Sequence, residues 1–501
     1  MTEEINRLWR FNEGVDLSKP IAGFAGNVLK LTAGSTFAQV LGVLVAPIVT
    51  RLFAPEAFGV AALFASIAGT IRAISCLRYE LSIMLPENDE EAANLLGVSI
   101  CSAIIITCVT VLAIFGFQDS IVQLFNAPEL KKYLWLLPLS VFLAGMVSAL
   151  TYWNSRAKNF GRLSVVRVLS SGITQTSKLT SGFTGFVSGG ALIVSTILGQ
   201  LIASAFLGIQ TIKTDWKLLI KKINFKRMNA SASRYRKFPI FSTWSALINT
   251  ASYQLPVWIL AIYFSADVVG YYALGNLVLG IPMILIGSAV SQVFFQRAAE
   301  ARNTTNDLPE IVQTILIRLV SLSIFPTLLL TIIGKDVFAL TFGVEWAEAG
   351  MYVQILCIWV FFQFISSPLS TIFGVLEKQE SYLMFDILIF ATRSIALVAG
   401  GLTGNVLITL ALFSLASVSC YGFLCFWILL NTNVSMKVTL MRVFKYLLYS
   451  APLIGIVAAA KFFFHIGSLY ILLLSLLGTI TYYAVVVSED KTLHRIFGFC
   501  K

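Results

Sequence analysis

The fold turns on the stretch Phe58-GVAALFASIAGT-Ile71, which runs straight into Arg72-AISCLRYE-Leu81. The first part reads as a membrane helix, yet Arg72, Arg78 and Glu80 stand in or at the end of it. An arginine at the bilayer centre costs about 3 kcal/mol on insertion scales. Such a helix is either outside the membrane or keeps its charge away from lipid. Composition decides for the membrane. The chain has 501 residues, 57% hydrophobic and 12% charged, with mean hydropathy +0.84, about half the charge of a soluble domain. Apolar runs recur from Gly26 to Val487 with short polar breaks, which indicates one polytopic membrane domain. A transmembrane β-barrel would alternate with period 2, whereas these runs are continuous. The expected fold is an all-α integral membrane protein.

Residues 1–25 are mostly polar, as in Thr2-EEINRLWRFNEG-Val15, so the first helix is expected to serve as an uncleaved signal anchor. The seven cysteines contain no C-x-x-C, and His465 and His494 are the only histidines. Neither set suggests a disulfide framework, a zinc site or a catalytic dyad. No Walker A loop is present, which argues against ATP hydrolysis.

Spans of about 20 residues divide the chain into about fourteen helices, beginning near residues 28, 58, 93, 133, 164, 190, 239, 271, 311, 350, 382, 405, 446 and 468. With the N-terminus in the cytoplasm, the inside segments hold twenty-five Lys and Arg. The outside loops hold only Arg51, Lys131, Lys132, Lys335 and Lys461. This asymmetry predicts a multi-pass membrane protein with both ends cytoplasmic. The same rule accounts for the net charge of +11 without any nucleic-acid partner.

Leu52-FAPEAFGVAA-Leu63 resembles Tyr263-FSADVVGYYA-Leu274 at a constant offset, aligning Phe53 with Phe264, Glu56 with Asp267, Gly59 with Gly270 and Leu63 with Leu274. Both segments lead from an outside loop into an inward-running helix, the pattern of a parallel repeat, with a substrate path expected between the halves. The expected division is an N-terminal lobe of six helices (1–212), a basic linker (213–238), a C-terminal lobe of six helices (239–430), and two further helices with a cytoplasmic tail (431–501). The linker, Lys213-TDWKLLIKKINFKRMNASASRYRK-Phe238, carries nine basic residues and is expected to lie on anionic membrane lipid.

Charges within helices are the candidate site. Lys30, Arg78, Glu80, Arg318 and Asp386 fall near cytoplasmic helix ends, where they can snorkel. Arg72 and Arg393 are central in their helices and are expected to face the protein interior. In Val168-LSSGITQTSKLTSGFTG-Phe186, helical spacing puts Arg167, Ser171, Thr174, Lys178 and Ser181 on one stripe. Small residues there would suit a packing face, but Lys178 suggests a hydrated cavity. Arg72, Lys178 and Arg393 thus give a surplus of positive charge between the lobes, which suggests an anionic substrate such as a phosphate, pyrophosphate or carboxylate. Gln39, Asn249, Gln254, Tyr253 and Asn276 extend this polar surface. Trp244 and Tyr253 can stack on sugar rings, while Trp153 and Trp258 read as belt aromatics. Pro47, Pro256, Pro282, Pro326 and Pro368 are candidate kinks.

Arg51-LFAPEAFGVAALFASI-Ala68 followed by Leu77-RYELSIMLPENDEEAANLL-Gly97 resembles the N-terminal signature of the polysaccharide transporter family. These are the Wzx-type flippases of the multidrug/oligosaccharidyl-lipid/polysaccharide exporter superfamily. The resemblance implies two lobes that rock between inward-open and outward-open states. It also implies a polyprenyl-pyrophosphate-linked oligosaccharide as substrate and a polysaccharide polymerase or chain-length regulator as partner. No cofactor is implied; the implied location is the bacterial inner membrane, with Na+ or H+ as the candidate coupling ion. Phe37-AQVLGVLVAP-Ile48 lacks the helix-1 arginines of the lipid-II branch. The competing classes are a cation-coupled multidrug exporter, whose cavity should be acidic, and a membrane polysaccharide polymerase, whose catalytic groups would sit on loops such as 118–132 or 334–350. The expectation is a transporter and not an enzyme.

Overall fold

The computed structural model describes residues 20–489 apart from 305–306, and the described residues form helices without a strand. The polar N-terminal residues, the basic tail and the side chain of Lys30 lie outside the described ones. The N-terminal set comprises α1 (Pro20–Leu52), α2 (Pro55–Arg72), α3 (Asp89–Leu124), α4 (Leu137–Arg156), α5 (Phe160–Phe183) and α6 (Gly189–Lys222). The second set comprises α7 (Thr243–Tyr263), α8 (Ala266–Pro282, continuing through a π turn into Ser288–Thr304), α9 (Leu308–Phe342), α10 (Ala347–Ser366), α11 (Gln379–Leu402) and α12 (Val406–Asn431). Two more follow, α13 (Met436–Phe462) and α14 (Ser468–Glu489). A long helix therefore stands at each place where one was expected.

Local chemistry marks the helix ends. Pro55 opens α2, where its missing N–H costs nothing. Asp89, Glu90 and Glu91 fill the first turn of α3 and complement its dipole. Asn405 accepts from the amides of Leu407 and Ile408 to cap α12. Gly343, at φ +113°, makes the left-handed turn between α9 and α10.

Eleven helical segments among the described residues are long and apolar enough to cross a membrane. Three helices are too polar to meet that measure: α2, α5 and α7. Their position explains it, because α2 packs against α7 and α8 of the other lobe, and α5 lies between α1 and α6. Elsewhere the bundle turns apolar side chains outward, as with Phe115 and Leu112 on α3 and Leu477 and Ile480 on α14, the surface lipid requires.

The two repeated segments meet each other. A Cβ on Gly59 would fall 1.8 Å from the Ala266 carbonyl oxygen, and one on Gly270 would fall 2.0 Å from the Pro55 oxygen. Only glycine permits this backbone contact, so the repeat marks the crossing point of the lobes. Trp346 seals it. Its indole N–H donates to the Thr50 carbonyl at 2.8 Å, and its ring meets Phe58 edge-on at 4.8 Å and Tyr271 at 6.0 Å. Arg51 donates to the Leu340 carbonyl at 3.0 Å beside it.

The pair α13–α14 packs on α9. Lys461 is bonded to Asp336 at 2.6 Å, and Tyr482 stacks on Phe325 and donates to the Ser321 carbonyl. The basic linker also has structure. Its first residues continue α6 to Lys222, and Phe225–Arg234 forms a helix against the acidic start of α3. There Lys222 and Arg227 bond Glu90, and Arg234 bonds Glu91 at 2.8 Å. Part of the charge expected to meet lipid headgroups is thus bonded within the chain.

Candidate functional site

The C-terminal lobe holds a cavity of about 380 Å³ walled by α7, α11, α12 and the turn after α10. Its polar lining comes from Ser245, Asn249, Ser252, Ser367, Ser370, Asp386 and Arg393, with Tyr253, Tyr382 and Tyr421 as aromatic walls. Three residues expected at a substrate site, Asn249, Asp386 and Arg393, share this space.

Arg393 is its most constrained member. Only 6% of the residue is exposed. Its Nε donates to the Ser417 hydroxyl at 2.9 Å, and its guanidinium carbon lies 4.8 Å from the Trp359 ring, 5.1 Å from Phe413 and 5.4 Å from Tyr421. Aromatic faces attract a cation and worsen its access to water. Nη2 is left buried without a partner, as is the indole Nε1 of Trp359. An unmet charged donor in such a place is costly. The interior position of Arg393 was readable from its depth in α11. The box of Trp359, Phe413, Ser417 and Tyr421 was not, because α10 and α12 bring those residues from a distance in sequence.

Arg72 and Lys178 do not line this cavity. Arg72 is exposed at the end of α2. Lys178 is half-buried in the middle of α5; its carbonyl accepts from the Ser181 hydroxyl at 3.0 Å, and its ammonium makes no hydrogen bond or ion pair among the described residues. The three cations expected to share one cavity are thus divided between the lobes. The polar stripe of α5 is also divided. Ser171 donates to the Ala38 carbonyl at 2.8 Å, and a Cβ on Gly199 would meet Thr174 Oγ1 at 2.0 Å. Those two residues serve packing against α1 and α6. Gln39 is exposed on α1. Gln254 reaches across to α2, where a Cβ on Gly69 would lie 3.4 Å from its amide nitrogen.

Arg78 and Glu80 form a pair at 3.5 Å. Snorkelling was expected for both, but Glu80 is 3% exposed. The reason lies in the backbone: Leu77 and Arg78 adopt φ +49° and +62°, a left-handed turn that folds the following carboxylate inward. Such angles at two bulky residues cost of order 1–3 kcal/mol each. Glu80 Oε2 and Arg78 Nε remain buried without partners. Tyr79 holds the turn to the linker helix by donating to the Ala232 carbonyl at 3.1 Å.

Two tryptophans expected in the membrane belt are interior instead. Trp153 donates to Asp215 at 2.8 Å, and Trp258 donates to the Ser66 hydroxyl at 3.0 Å across the lobe interface. The Trp258 acceptor, Ser66, is buried and the Trp153 acceptor, Asp215, is half-buried; hydropathy reveals neither pairing.

A sequence model of the family described as "Polysaccharide biosynthesis protein" matches residues 48–350, more than half of the chain. The chain belongs to this family. No curated protein matches it. Among solved structures, it is similar to lipid II flippase MurJ in an inward closed conformation, at 14% identity and TM-score 0.70. That match covers 92% of this chain and 99% of MurJ. An inward-facing multidrug resistance MATE family transporter of the MOP superfamily aligns at 13% identity and TM-score 0.55, covering 83% of this chain and 99% of the transporter. The fold of this polysaccharide biosynthesis protein is therefore the one shared by MurJ and the MATE transporter.

Proposed function

We propose that this protein is a flippase that moves polyprenyl-pyrophosphate-linked oligosaccharide units across the bacterial inner membrane, with both termini in the cytoplasm and the lobes alternating in access. The observation that carries this reading is the family match over residues 48–350. Lys178 adds a physical reason, since it sits within α5 without a carboxylate partner among the described residues. A cation kept there favours a guest that brings negative charge. Arg72, at the end of α2 on the proposed cytoplasmic side, is placed to meet the same group first. Gln39, Gln254, Arg78 and Glu80 belong to the same proposed path along α1, α7 and the α2–α3 turn. Coupling to Na+ or H+ and delivery to a polymerase are parts of the same proposal. A cation exporter would want a carboxylate-rich cavity, whereas the C-terminal cavity pairs one carboxylate, Asp386, with Arg393.

The test is export in a strain deprived of its own flippase, normalised to the amount of variant in the membrane. Lys178→Ala and Arg72→Ala should each lower surface polysaccharide by about tenfold or more, in line with about 1.5–3 kcal/mol for a hydrogen bond to a charged group. Arg72→Lys should keep part of the activity, retaining charge but losing the planar fork. Normal export by an Arg72→Glu/Lys178→Glu double variant would refute the electrostatic reading.

A further inference from the structure

The C-terminal cavity differs in chemistry from a pyrophosphate site. It contains one cation, Arg393, whose two faces and Nε are already occupied by Trp359, Phe413, Tyr421 and Ser417. Nη2 is buried without a hydrogen-bond partner, and the guanidinium has no carboxylate in salt-bridge contact among the described residues. Asp386 lines the same space, seven residues away on α11, about 10 Å along the helix axis. Formal charges of the cavity wall therefore cancel, which is unfavourable for a multiply charged pyrophosphate. The remaining wall consists of serine hydroxyls, the Asn249 amide and tyrosine rings, with Tyr253 62% exposed. Hydroxyls and planar amides exchange hydrogen bonds with sugar hydroxyls, and exposed aromatic faces cover the apolar faces of pyranose rings. A volume near 380 Å³ is at the small end for ligand pockets.

We propose that this cavity is a sugar subsite for one residue of the transported glycan, and that Arg393 selects a residue carrying a single carboxylate, a uronic acid. The pyrophosphate is left to the cations of the N-terminal lobe. The inference rests on the lipid-linked glycan reading above and assigns Arg393 a different task from Arg72 and Lys178. A uronate carboxylate supplies the one negative charge that the cavity-lining guanidinium of Arg393 lacks, and the neutral ring hydroxyls meet Asn249 and Asp386.

The experiment uses the full-length protein in lipid nanodiscs with three probes: methyl β-D-glucuronide, methyl β-D-glucoside and inorganic pyrophosphate. The glucuronide should bind roughly tenfold more tightly than the glucoside, the ratio one charge-assisted hydrogen bond supports. Arg393→Gln should bring the two sugars to equal affinity and leave pyrophosphate binding unchanged. Tyr253→Ala, on the exposed wall, should weaken both sugars alike and preserve their ratio, a readout that stands even if the Arg393 variant does not fold. Equal affinity of the wild type for both sugars overturns the proposal. So does a glucuronide preference that survives Arg393→Gln, indifference of both sugars to Tyr253→Ala, or absence of sugar binding. If sugar binding fails while Lys178→Gln still weakens pyrophosphate, the subsite falls and the flippase reading stands. If pyrophosphate binding is also absent, that reading falls with it.

Discussion

At Glu80 the carboxylate is buried and one of its oxygens has no partner. Burial raises its pKa above the usual carboxylate range, and the opposing pull of Arg78 is smaller. A raised pKa means that the folded state holds the proton more tightly than the unfolded chain does. The stabilisation from that proton is present at low pH and is lost as pH rises through the folded-state value. Glu80→Gln, neutral at every pH, should therefore melt at a higher temperature than wild type at about pH 8, and the gap should narrow towards about pH 5. Thermal unfolding of the detergent-solubilised pair across that range measures it, and a pH-independent gap would remove the basis of the argument. The sequence announced a charge at the end of α2 but placed it in reach of water. What it could not announce was the left-handed pair Leu77–Arg78, because neither residue type favours that conformation. Arg393 was more legible, since fourteen helical residues separate it from the start of α11 at Gln379, too deep for its side chain to reach the interface.

Among the elements, α2 and α8 carry the part of the architecture most visible in sequence. A match of twelve residues at constant offset pointed to a repeat, and the structure brings its two glycines to one crossing. Because the atoms a new Cβ would meet are backbone oxygens, no side-chain movement can relieve the clash. Gly59→Val and Gly270→Val should each destabilise by about 1–3 kcal/mol, as overpacked cores do, and should lose export at any expression level. Gly172→Ala in α5 is the contrast: its Cβ would meet nothing within 4 Å. It should be neutral or stabilise by about 0.5–1 kcal/mol through helix propensity. Melting temperatures of the three variants decide the point, and equal losses would show that generic helix effects, not the crossing, set the cost. The linker was less legible. Its basic residues read as surface charge, but Glu90 and Glu91 sit more than a hundred residues earlier in sequence, and only the fold brings them to Arg227 and Arg234.

For the whole molecule, the lobes meet through α2 against α7 and α8, and the end bearing the crossing is shut by Trp346, Phe58, Tyr271 and Arg51. On the proposed orientation that end faces the periplasm. A transporter that alternates must break these contacts in each cycle, so their strength sets how often the outer side opens. The Trp346 indole contributes one hydrogen bond and two edge-on aromatic contacts, of about 0.5–1.5 kcal/mol for each ring pair beyond burial. Arg51 adds a single bond to a carbonyl at an exposed position. Removing both with Trp346→Ala/Arg51→Ala should shift the population towards an outward-open state by at least tenfold, the shift that about 1.4 kcal/mol produces. Leu63, one turn beyond Gly59 on α2 and 2% exposed, reports the change. A Leu63→Cys probe, in a chain cleared of its native cysteines, should react slowly with a membrane-impermeant maleimide added to the periplasmic side. It should react at least tenfold faster once the two latch residues are gone. Trp346→Phe should fall between, keeping the ring contacts but losing the bond to the Thr50 carbonyl. If labelling of Leu63→Cys is unchanged in the double variant, these contacts do not control closure, and the crossing glycines alone would have to hold the outer side shut.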